Sequence, residues 1–292
     1  ELSFPGRIEE VFASIEEKPL AAASMAQAHA AVLHDGTEVV IKVLRPHIRE
    51  TIAGDMDALR LLAKMAQAHM PNLGLDPVEA VEEFAQELER ETDLTNEGRA
   101  TERLSKMFEE DDSVNFPTIY WDATTKDILC ETHVKGMLLA GLDPSTLTDE
   151  TRRTIVRNGA RAVFHQTLDV GFFHADPHPG NIFVQENGSI IFIDCGMTGF
   201  VDEQTRMHIA ELVYGVTKND SEMVMRAAIS IADIDPDTID IKAARSDVQQ
   251  LVAQFVGVPI ERIDLGSVLD QFFQVLRNHD MKCPADIVLL IK

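Results

Sequence analysis

Hydrophobic and polar positions along the chain follow two different periods, which together predict a mixture of strands and helices. The segment Glu38–Leu44 (EVVIKVL) is rich in β-branched residues, as a strand should be. An Asp-Gly dipeptide at 35–36 predicts a two-residue turn, so residues 30–33 and 39–43 should pair as a hairpin. From residue 48 to about residue 68 the apolar positions recur at helical spacing, which predicts a long helix after the hairpin.

The rest of the chain alternates in the same way. Turn residues at 71–74 separate the first long helix from a second one, which we predict over residues 77–108. The remaining predictions are a short helix over 7–17, two short strands over 116–120 and 127–131, a helix over 149–170 capped by Thr148, a strand hairpin around the turn at 186–188, and a helical remainder from 202 to 292 with breaks near 219–220, 236, 257–259 and 284. This length supports two lobes with their own cores, which we place at residues 1–135 and 136–292.

Composition and charge exclude several classes of protein. The 292 residues are 45% hydrophobic and 26% charged, which are globular proportions that exclude wholesale disorder. A formal net charge of −23 opposes binding to phosphate backbones, so we expect no nucleic-acid partner. Three widely spaced cysteines, Cys130, Cys195 and Cys283, give neither a disulfide framework nor a CxxC metal motif, and they fit a reducing compartment.

Targeting signals are not visible in this sequence. No apolar run approaches the ~20 residues that span a bilayer, and the first ten residues have no basic region followed by an apolar one. We therefore expect a protein that is not secreted and lies in the cytoplasm or peripherally on the cytoplasmic side of a membrane, attached through flanking segments. Because the chain begins at Glu1 without Met and stops within an apolar stretch, we also expect it to be a fragment.

The most informative stretch for chemistry is HADPHPGN at residues 174–181, followed by Asp-Cys-Gly at 194–196. An Asp, an Asn five residues later and an Asp-x-Gly after a hairpin form the arrangement with which kinases orient a nucleophile and hold Mg²⁺. Hard oxygen ligands suit that ion, so we predict Asn181 and Asp194 as metal ligands and Asp176 as the catalytic aspartate. The alternative is a turn that merely connects a helix to a strand, with Asp194 ending that strand.

Two histidines of the same stretch, His174 and His178, lie four residues apart, a spacing that on a helix would suit zinc. Pro177 and Pro179 forbid that helix, and no third ligand has a suitable spacing. We therefore expect both histidines to make structural hydrogen bonds in the loop.

Lys42 lies in the middle of an apolar strand, where a charge is costly unless it meets an anionic partner. The second long helix offers Glu91, Asp93 and Glu97. On one continuous helix Asp93 and Glu97 would share a face at i, i+4 spacing and Glu91 would not, which predicts two separate roles. The alternative is a solvated edge-strand lysine and an ordinary charged helix face.

The segment before Lys42, AAASMAQAH at residues 21–29, contains no glycine where a protein kinase has a glycine-rich loop over the phosphates. Alanine restricts close backbone approach, so this loop should hold phosphates differently. The runs PLAAASMAQAH, VVIKVLRP, ERETDLTNE, HADPHPGN and DCG occur in this order over nearly the whole chain. In this the chain resembles the UbiB/ADCK/aarF family of atypical kinase-like proteins.

The resemblance implies a two-lobed, protein-kinase-like α/β (α+β) fold, with a small N-lobe sheet, added helices and a mainly helical C-lobe. It also implies a role for each matching position. The catalytic residues are Asp176 and the paired Lys42 and Glu97, and the metal ligands are Asn181 and Asp194. The nucleotide contacts are the loop Ala21, Ala22, Ala23 and Ser24 with Lys42, and Glu131 and His133 of the hinge, while Glu91 and Asp93 form a regulatory ExD pair. Two departures stand out. The family's KxGQ motif occurs nowhere in this sequence, and the hinge at 129–133 (LCETH) departs from the usual Met-Glu pair.

These features predict an atypical kinase-like ATPase or phosphotransferase that binds ATP or ADP with Mg²⁺. The resemblance further implies support of isoprenoid-quinone (ubiquinone-type) lipid biosynthesis, with lipid or quinone precursors and quinone-biosynthesis enzymes as partners beside the adenine nucleotide. Two other functions stay open. One is a small-molecule phosphotransferase of the aminoglycoside or choline kinase type, and the other is a nucleotide-sensing pseudokinase scaffold.

Overall fold

The computed structural model describes residues 8–69, 76–232, 240–255, 265–279 and 281. Its strands, in chain order, are β1 (Phe12–Ile15), β2 (Ala21–Ala22), β3 (Ala26–Leu33), β4 (Glu38–Leu44), β5 (Val114–Asn115), β6 (Ile128–Thr132), β7 (Met137–Leu138), β8 (Phe172–His174), β9 (Ile182–Val184), β10 (Ile190–Phe192) and β11 (Thr198–Phe200). Its α-helices are α1 (Ile8–Val11), α2 (Ile48–His69), α3 (Pro77–Glu91), α4 (Leu94–Met107), α5 (Asp149–Phe164), α6 (Glu203–Lys218), α7 (Ser221–Ala232), α8 (Ile241–Ala253) and α9 (Leu265–Asn278). The predicted mixed fold, a small antiparallel sheet followed by a mainly helical remainder, is confirmed.

Two compact units divide the chain. The first contains Glu1–Asn158 and Pro177–Met197, and the second contains Gly159–Asp176 and Thr198–Lys292. The two lobes expected from the sequence, 1–135 and 136–292, remain a prediction.

The main sheet of the first unit has the strand order β1-β3-β4-β6, with the short strand β2 also paired to β3. Strands β3 and β4 pair from Ala26 opposite Leu44 to Val32 opposite Glu38, which confirms the predicted hairpin. The predicted helix over 7–17 is wrong beyond Val11, where β1 begins. Extended backbone there lets Phe12 bury its ring in the core of the sheet instead of exposing it on a short helix.

The two faces of this sheet have different roles. Opposed residues of an antiparallel pair point to the same side, and the β4–β6 register places Ile41 opposite Cys130 and Lys42 opposite Leu129. One face buries the apolar core formed by Phe12, Ala31, Val39, Ile41, Ala123, Ile128 and Cys130. The other face carries Lys42, and α4 covers it where Leu94 packs with Leu129. Because side chains alternate along strand β4, the apolar core lies on one face of the sheet and Lys42 lies on the other.

The first long helix is confirmed as α2, and the turn predicted at 71–74 lies outside the described residues. The second prediction, a single helix over 77–108, is wrong because the chain breaks between Glu91 and Leu94. Asp93 has extended backbone, and its Oδ1 accepts a hydrogen bond from the amide of Thr95 at 3.1 Å, which starts a new helix. The i, i+4 relation expected for Asp93 and Glu97 therefore does not apply.

A second, smaller sheet of the first unit has the order β5-β10-β9-β7. Strands β9 and β10 pair with Ile190 opposite Val184, and Gly188 takes a φ of 83° in the turn, so the hairpin predicted around 186–188 is confirmed. The strand predicted over 127–131 is confirmed as β6. The strand predicted over 116–120 is wrong, since its segment makes only an isolated bridge between Ile119 and Glu131 and then turns at Trp121–Ala123.

The helix predicted over 149–170 is confirmed as α5 followed by a π-helical stretch, His165–Val170, that ends at Gly171 with a φ of 81°. The Thr148 hydroxyl accepts a hydrogen bond from the amide of Thr151 at 3.1 Å, as a capping residue should.

The described part of the remainder, α6 to α9, is helical as predicted. The break expected near 219–220 is confirmed, because α6 ends at Lys218 and the capping residue Asn219 has a φ of 55°. The breaks expected near 236, 257–259 and 284 lie outside the described residues. Among the helices that are described, none has the length and apolar character needed to cross a membrane.

Candidate functional site

The first unit brings a buried lysine and a buried glutamate together. The Nζ of Lys42, on β4, donates a hydrogen bond to the Oε1 of Glu97, on the first turn of α4. Their side chains are only 14% and 9% exposed. Asp93 starts α4 at the point where Glu97 comes to lie over the lysine, so the break in the predicted helix is what positions this ion pair.

Gly98 allows α4 to lie this close to the sheet. A Cβ at this position would come within 3.0 Å of the Trp121 ring and 3.2 Å of Leu129. Leu129 is fully buried on β6 and cannot move away. The residue after Glu97 therefore has to be small for Glu97 to meet Lys42.

A second buried carboxylate faces the same lysine. The Oε1 of Glu131, on β6, lies 3.6 Å from the Nζ of Lys42, and its side chain is 6% exposed. The β4–β6 register explains this contact, because Glu131 is opposite Val40 and so shares a face with Lys42 two residues further along β4. The Oδ1 of Asp194 lies 4.0 Å from the same ammonium group.

The three carboxylates change the protonation of the cluster. Burial works to lower the pKa of Lys42, but Glu131, Glu97 and Asp194 together outweigh it and raise that pKa above its usual value, so the ammonium group stays charged. Burial also raises the pKa of Glu97 to about 7, an effect that Lys42 only partly offsets. Burial likewise raises the pKa of Glu131. When all three carboxylates are ionised, they place three negative charges around one positive charge, and the raised pKa values of Glu97 and Glu131 reflect the cost of that arrangement, which a cation would reduce.

Asn181 and Asp194 are held near each other by the backbone. The amide of Ile193 donates a hydrogen bond to the carbonyl oxygen of Asn181 at 2.9 Å, which ties the end of the 3-10 turn Pro179–Asn181 to the end of strand β10. Asn181 is buried. The backbone at Asn181 therefore lies beside the end of the hairpin that leads to Asp194.

The backbone of Asp194 is in the left-handed region, with a φ of 55°, which is uncommon for a residue other than glycine. Its side chain is 56% exposed, whereas the next residue, Cys195, is fully buried. Burial raises the pKa of the Cys195 thiol to about 12, and a hydrogen bond joins that side chain to Thr101 of α4. The turn therefore presents the carboxylate outward and anchors the thiol inward.

These two residues suit a magnesium ion. The side-chain oxygens of Asn181 and Asp194 are the hard donors that Mg²⁺ prefers, and the carboxylate is accessible. Within the described ranges, no group of three His, Cys, Asp or Glu side chains could hold a metal ion by itself. A magnesium ion held by this pair would take its remaining ligands from water and phosphate.

The alanine-rich segment forms a tight exposed turn. Ala21 and Ala22 pair with β3, and the amide of Ala23 donates to the carbonyl oxygen of Ala26 at 2.9 Å. The guanidinium of Arg45 donates from Nε and Nη2 to the carbonyl oxygen of Ala23, at 3.2 and 3.0 Å. Ser24 is exposed at the tip. The predicted loop is thus fixed by an arginine that follows β4.

The predicted ExD pair has two different surroundings. The Oδ1 of Asp93 also accepts a hydrogen bond from the Thr95 hydroxyl at 2.6 Å, and its Oδ2 lies 3.7 Å from the Nζ of Lys126. Glu91 is the last residue of α3, and burial, followed by the negative charges of Glu87 and Asp194, raises its pKa. Asp93 is therefore engaged as a helix cap, while Glu91 lies in the field of Asp194.

The histidines of the HADPHPGN loop make local hydrogen bonds, as predicted. The Nδ1 of the buried His174 accepts from the amide of Asp176 at 3.2 Å, and the Nδ1 of His178 accepts from the amide of Gly180 at 2.9 Å. Asp176 is half-buried and belongs to the second compact unit, whereas Asn181 and Asp194 belong to the first.

His133 follows β6, where its amide donates to the carbonyl oxygen of Glu38 at 3.2 Å. The structure thus places this predicted hinge residue at the end of the central strand pair, with a half-buried side chain.

Four contributors to this site were missed by the sequence reasoning. They are Gly98, Arg45, Thr101 and the ion pair between Glu131 and Lys42. Only the last had a readable signal, because Glu131, like Lys42, is a charged residue that follows a run of apolar strand residues, and it carries the opposite sign. The other three act through backbone approach and local contacts that the sequence pattern does not encode.

The chain is similar to known proteins over nearly its whole length. Residues 2–228 match the model of the ABC1 atypical kinase-like domain, and residues 248–292 match that of the UbiB helical domain. The chain is 32% identical over 283 residues to the protein ACTIVITY OF BC1 COMPLEX KINASE 7, chloroplastic, of Arabidopsis thaliana, covering 97% of this chain and 41% of that protein. It is 32% identical over 293 residues to the probable protein kinase UbiB of Pseudomonas putida, covering 98% of this chain and 54% of that protein.

Among solved structures, the chain is similar to Rv3197 of Mycobacterium tuberculosis, determined in complex with erythromycin. The TM-score is 0.74 at 19% identity, covering 97% of this chain and 72% of that one. This similarity supports the fold. The chain spans about half the length of the curated relatives it matches.

Proposed function

Since the chain belongs to the family of ABC1 atypical kinase-like proteins, which includes UbiB, we propose that it binds an adenine nucleotide with Mg²⁺ and acts as a kinase-like ATPase or phosphotransferase. The observation that carries this proposal is the buried lysine, Lys42, held by Glu97 within 4.0 Å of the accessible carboxylate of Asp194. A positioned ammonium group beside a metal-binding carboxylate is what phosphoryl transfer requires of a protein.

Each residue has a separate task in this proposal. Lys42 binds a phosphate oxygen of the nucleotide, and Glu97 keeps its ammonium group charged and oriented. Asn181 and Asp194 hold the magnesium ion, which supplies charge neutralisation at the phosphates. Asp176 orients the acceptor hydroxyl or water and takes its proton.

The exposed alanine turn, Ala21, Ala22, Ala23 and Ser24, lies against the phosphates in place of a glycine-rich loop. Glu131 and His133, on and after β6, line the nucleotide side of the same strand pair. Three carboxylates within 4.0 Å of one ammonium group favour a ligand that brings a divalent cation with it.

The family supports a wider role. On the similarity to the probable protein kinase UbiB and the family resemblance described above, we extend the proposal to support of isoprenoid-quinone lipid synthesis, with quinone precursors and their enzymes as partners. This wider role includes peripheral attachment to the cytoplasmic side of a membrane. In the same proposal, Lys42 belongs to the lobe at 1–135 and the loop at 174–181 belongs to the lobe at 136–292.

Thermal unfolding with and without nucleotide tests the central claim. Wild-type protein should be stabilised by MgADP and MgATP, and Asp194→Asn should lose most of that shift, because a weaker Kd reduces RT ln(1 + [L]/Kd). Asparagine tolerates the left-handed backbone of position 194, so the variant removes charge without straining the turn.

The matched control is Asp55→Asn, which makes the same chemical change at an exposed position of α2. An equal shift for wild type and Asp194→Asn would contradict the metal assignment. A separate assay measures phosphate release from ATP with and without quinone precursors. If the protein binds nucleotide but releases no phosphate under either condition, it is a nucleotide-sensing scaffold.

A further inference from the structure

Glu131 is a surplus charge beside Lys42. The Oε1 of Glu97 accepts the hydrogen bond from Lys42, and its one negative charge already equals the one positive charge of the ammonium group. Glu131 adds a second buried carboxylate 3.6 Å from the same Nζ, from a different element of the fold. Burying a carboxylate beyond the one that balances the ammonium charge costs free energy. A role of Glu131 in ligand binding would account for that cost.

The backbone holds Glu131 rigidly in place. Strand β6 pairs with β4 on one side, with Glu131 opposite Val40, and bridges Ile119 on the other. The amide of Tyr120 donates to the carbonyl oxygen of Cys130 at 2.9 Å, and the amide of Thr132 donates to that of Thr118 at 2.9 Å. A strand bonded on both sides cannot shift, and Glu131 cannot leave the face that carries Lys42.

The net charge around Lys42 is negative and therefore opposes the binding of an anion. Glu97, Glu131 and Asp194 give three negative charges around one positive charge when all are ionised. A phosphate chain that approaches Lys42 competes with Glu131 for the ammonium group and is repelled by its carboxylate. Magnesium bound to the phosphates cancels two of their charges, so the penalty is smaller for the magnesium complex.

We propose that Glu131 is a specificity-determining residue that makes nucleotide binding depend on magnesium, by penalising the uncomplexed polyphosphate at Lys42. This inference rests on the proposed nucleotide-binding function. It predicts that the penalty grows with ligand charge, so that uncomplexed ATP is disfavoured more than uncomplexed ADP.

Isothermal calorimetry on wild type and Glu131→Gln tests it, with ADP and ATP, each with Mg²⁺ and with EDTA, at pH 8.5 to favour ionised carboxylates. Glu131→Gln should tighten binding of the uncomplexed nucleotides by about tenfold or more and that of the magnesium complexes by clearly less, which narrows the gap between them. Glu83→Gln removes the same charge from an exposed position of α3 and should leave all four Kd values unchanged.

The possible failures are distinguishable. If wild type binds neither MgADP nor MgATP, the proposed function is wrong. If wild type binds them and Glu131→Gln keeps the wild-type ratio of uncomplexed to complexed affinity, or binds every nucleotide more weakly, the role of Glu131 proposed here is wrong and the residue is only a counter-ion. Glu131→Met repeats the test with an apolar side chain, and loss of cooperative unfolding in both variants would likewise overturn the proposal.

Discussion

Arg45 and Ala23 are joined by a two-pronged contact: the guanidinium donates from Nε and Nη2 to the alanine carbonyl oxygen, at 3.2 and 3.0 Å. The amide of Arg45 donates in turn to the carbonyl oxygen of Met25 at 2.8 Å. One residue at the end of β4 therefore fixes both sides of the alanine-rich turn, and the rigidity that alanine gives the loop is increased by an arginine outside it.

Replacing this arginine should loosen the turn. We expect Arg45→Met to raise the hydrogen-exchange rate of the amides at residues 23–26 about tenfold, since the lost contact comprises two charge-assisted hydrogen bonds. MgADP should then stabilise the variant less than wild type. The control is Arg157→Met, at an exposed position of α5. Unchanged exchange at residues 23–26 would show that the β2–β3 pairing alone holds the loop.

Gly98 should be intolerant of a methyl group. The helix propensity of alanine favours Gly→Ala by about 1 kcal/mol at an unobstructed helical position, and Gly54 of α2, with nothing within 4 Å of its added Cβ, is such a position. We expect Gly54→Ala to raise the free energy of unfolding by that amount and Gly98→Ala to lower it by about 1–2 kcal/mol through overpacking against Trp121 and Leu129.

Denaturant unfolding of the two glycine variants measures both effects. Trp121→Leu should partly rescue Gly98→Ala, because it removes the ring that the new methyl group meets. Equal stabilisation by both alanines would mean that α4 has room to move away from the sheet.

Substitutions of Asp93 and Glu91 should have different effects on stability. Asp93→Ala removes the cap of α4 and should lower the free energy of unfolding by about 1 kcal/mol, while Asp93→Asn should keep most of it because asparagine also caps helices. Glu91→Gln should leave stability nearly unchanged. Its effect should instead appear in nucleotide affinity, through the field it shares with Asp194. Similar stability losses for Asp93→Ala and Glu91→Gln would contradict the division of roles described above.

Loss of the proton from Glu97 should make stability fall as pH rises. The folded protein raises the pKa of Glu97 from 4.5 to about 7, so between these values the native state binds more protons than the unfolded state. The stabilisation from this group is therefore complete below about pH 4.5 and is lost as pH rises toward 7. The unfolding free energy of wild type minus that of Glu97→Gln should decrease as pH rises over that interval, because the glutamine does not titrate. A difference that grows with pH instead would show that the ion pair with Lys42 dominates over burial.

Sequence reasoning located most of the elements and grouped the chemical residues, but it failed where tertiary contacts outweigh local pattern. The hairpin before and including Lys42 was predictable because Asp-Gly turns and β-branched runs act locally. The break between Glu91 and Leu94 was not, since a charged helical pattern continues through it and only Asp93 as a cap stops it.

The same limit applies to the site. Glu97 was assigned to Lys42 through the family resemblance, and the structure has the two in contact. The contact of Glu131 with that lysine depends on the register between β4 and β6, which are separated by more than eighty residues of chain. No local pattern specifies which residues of two such distant strands stand opposite each other.

The left-handed turn at Asp194 has an evolutionary consequence. Asparagine is as well accommodated there as aspartate, and the buried neighbour Cys195 keeps the segment anchored whichever of the two is present. A lineage can therefore discard this carboxylate in one mutational step without selection against misfolding. Abundance and solubility of such a descendant in the cell would be unchanged even if the proposed magnesium binding were lost.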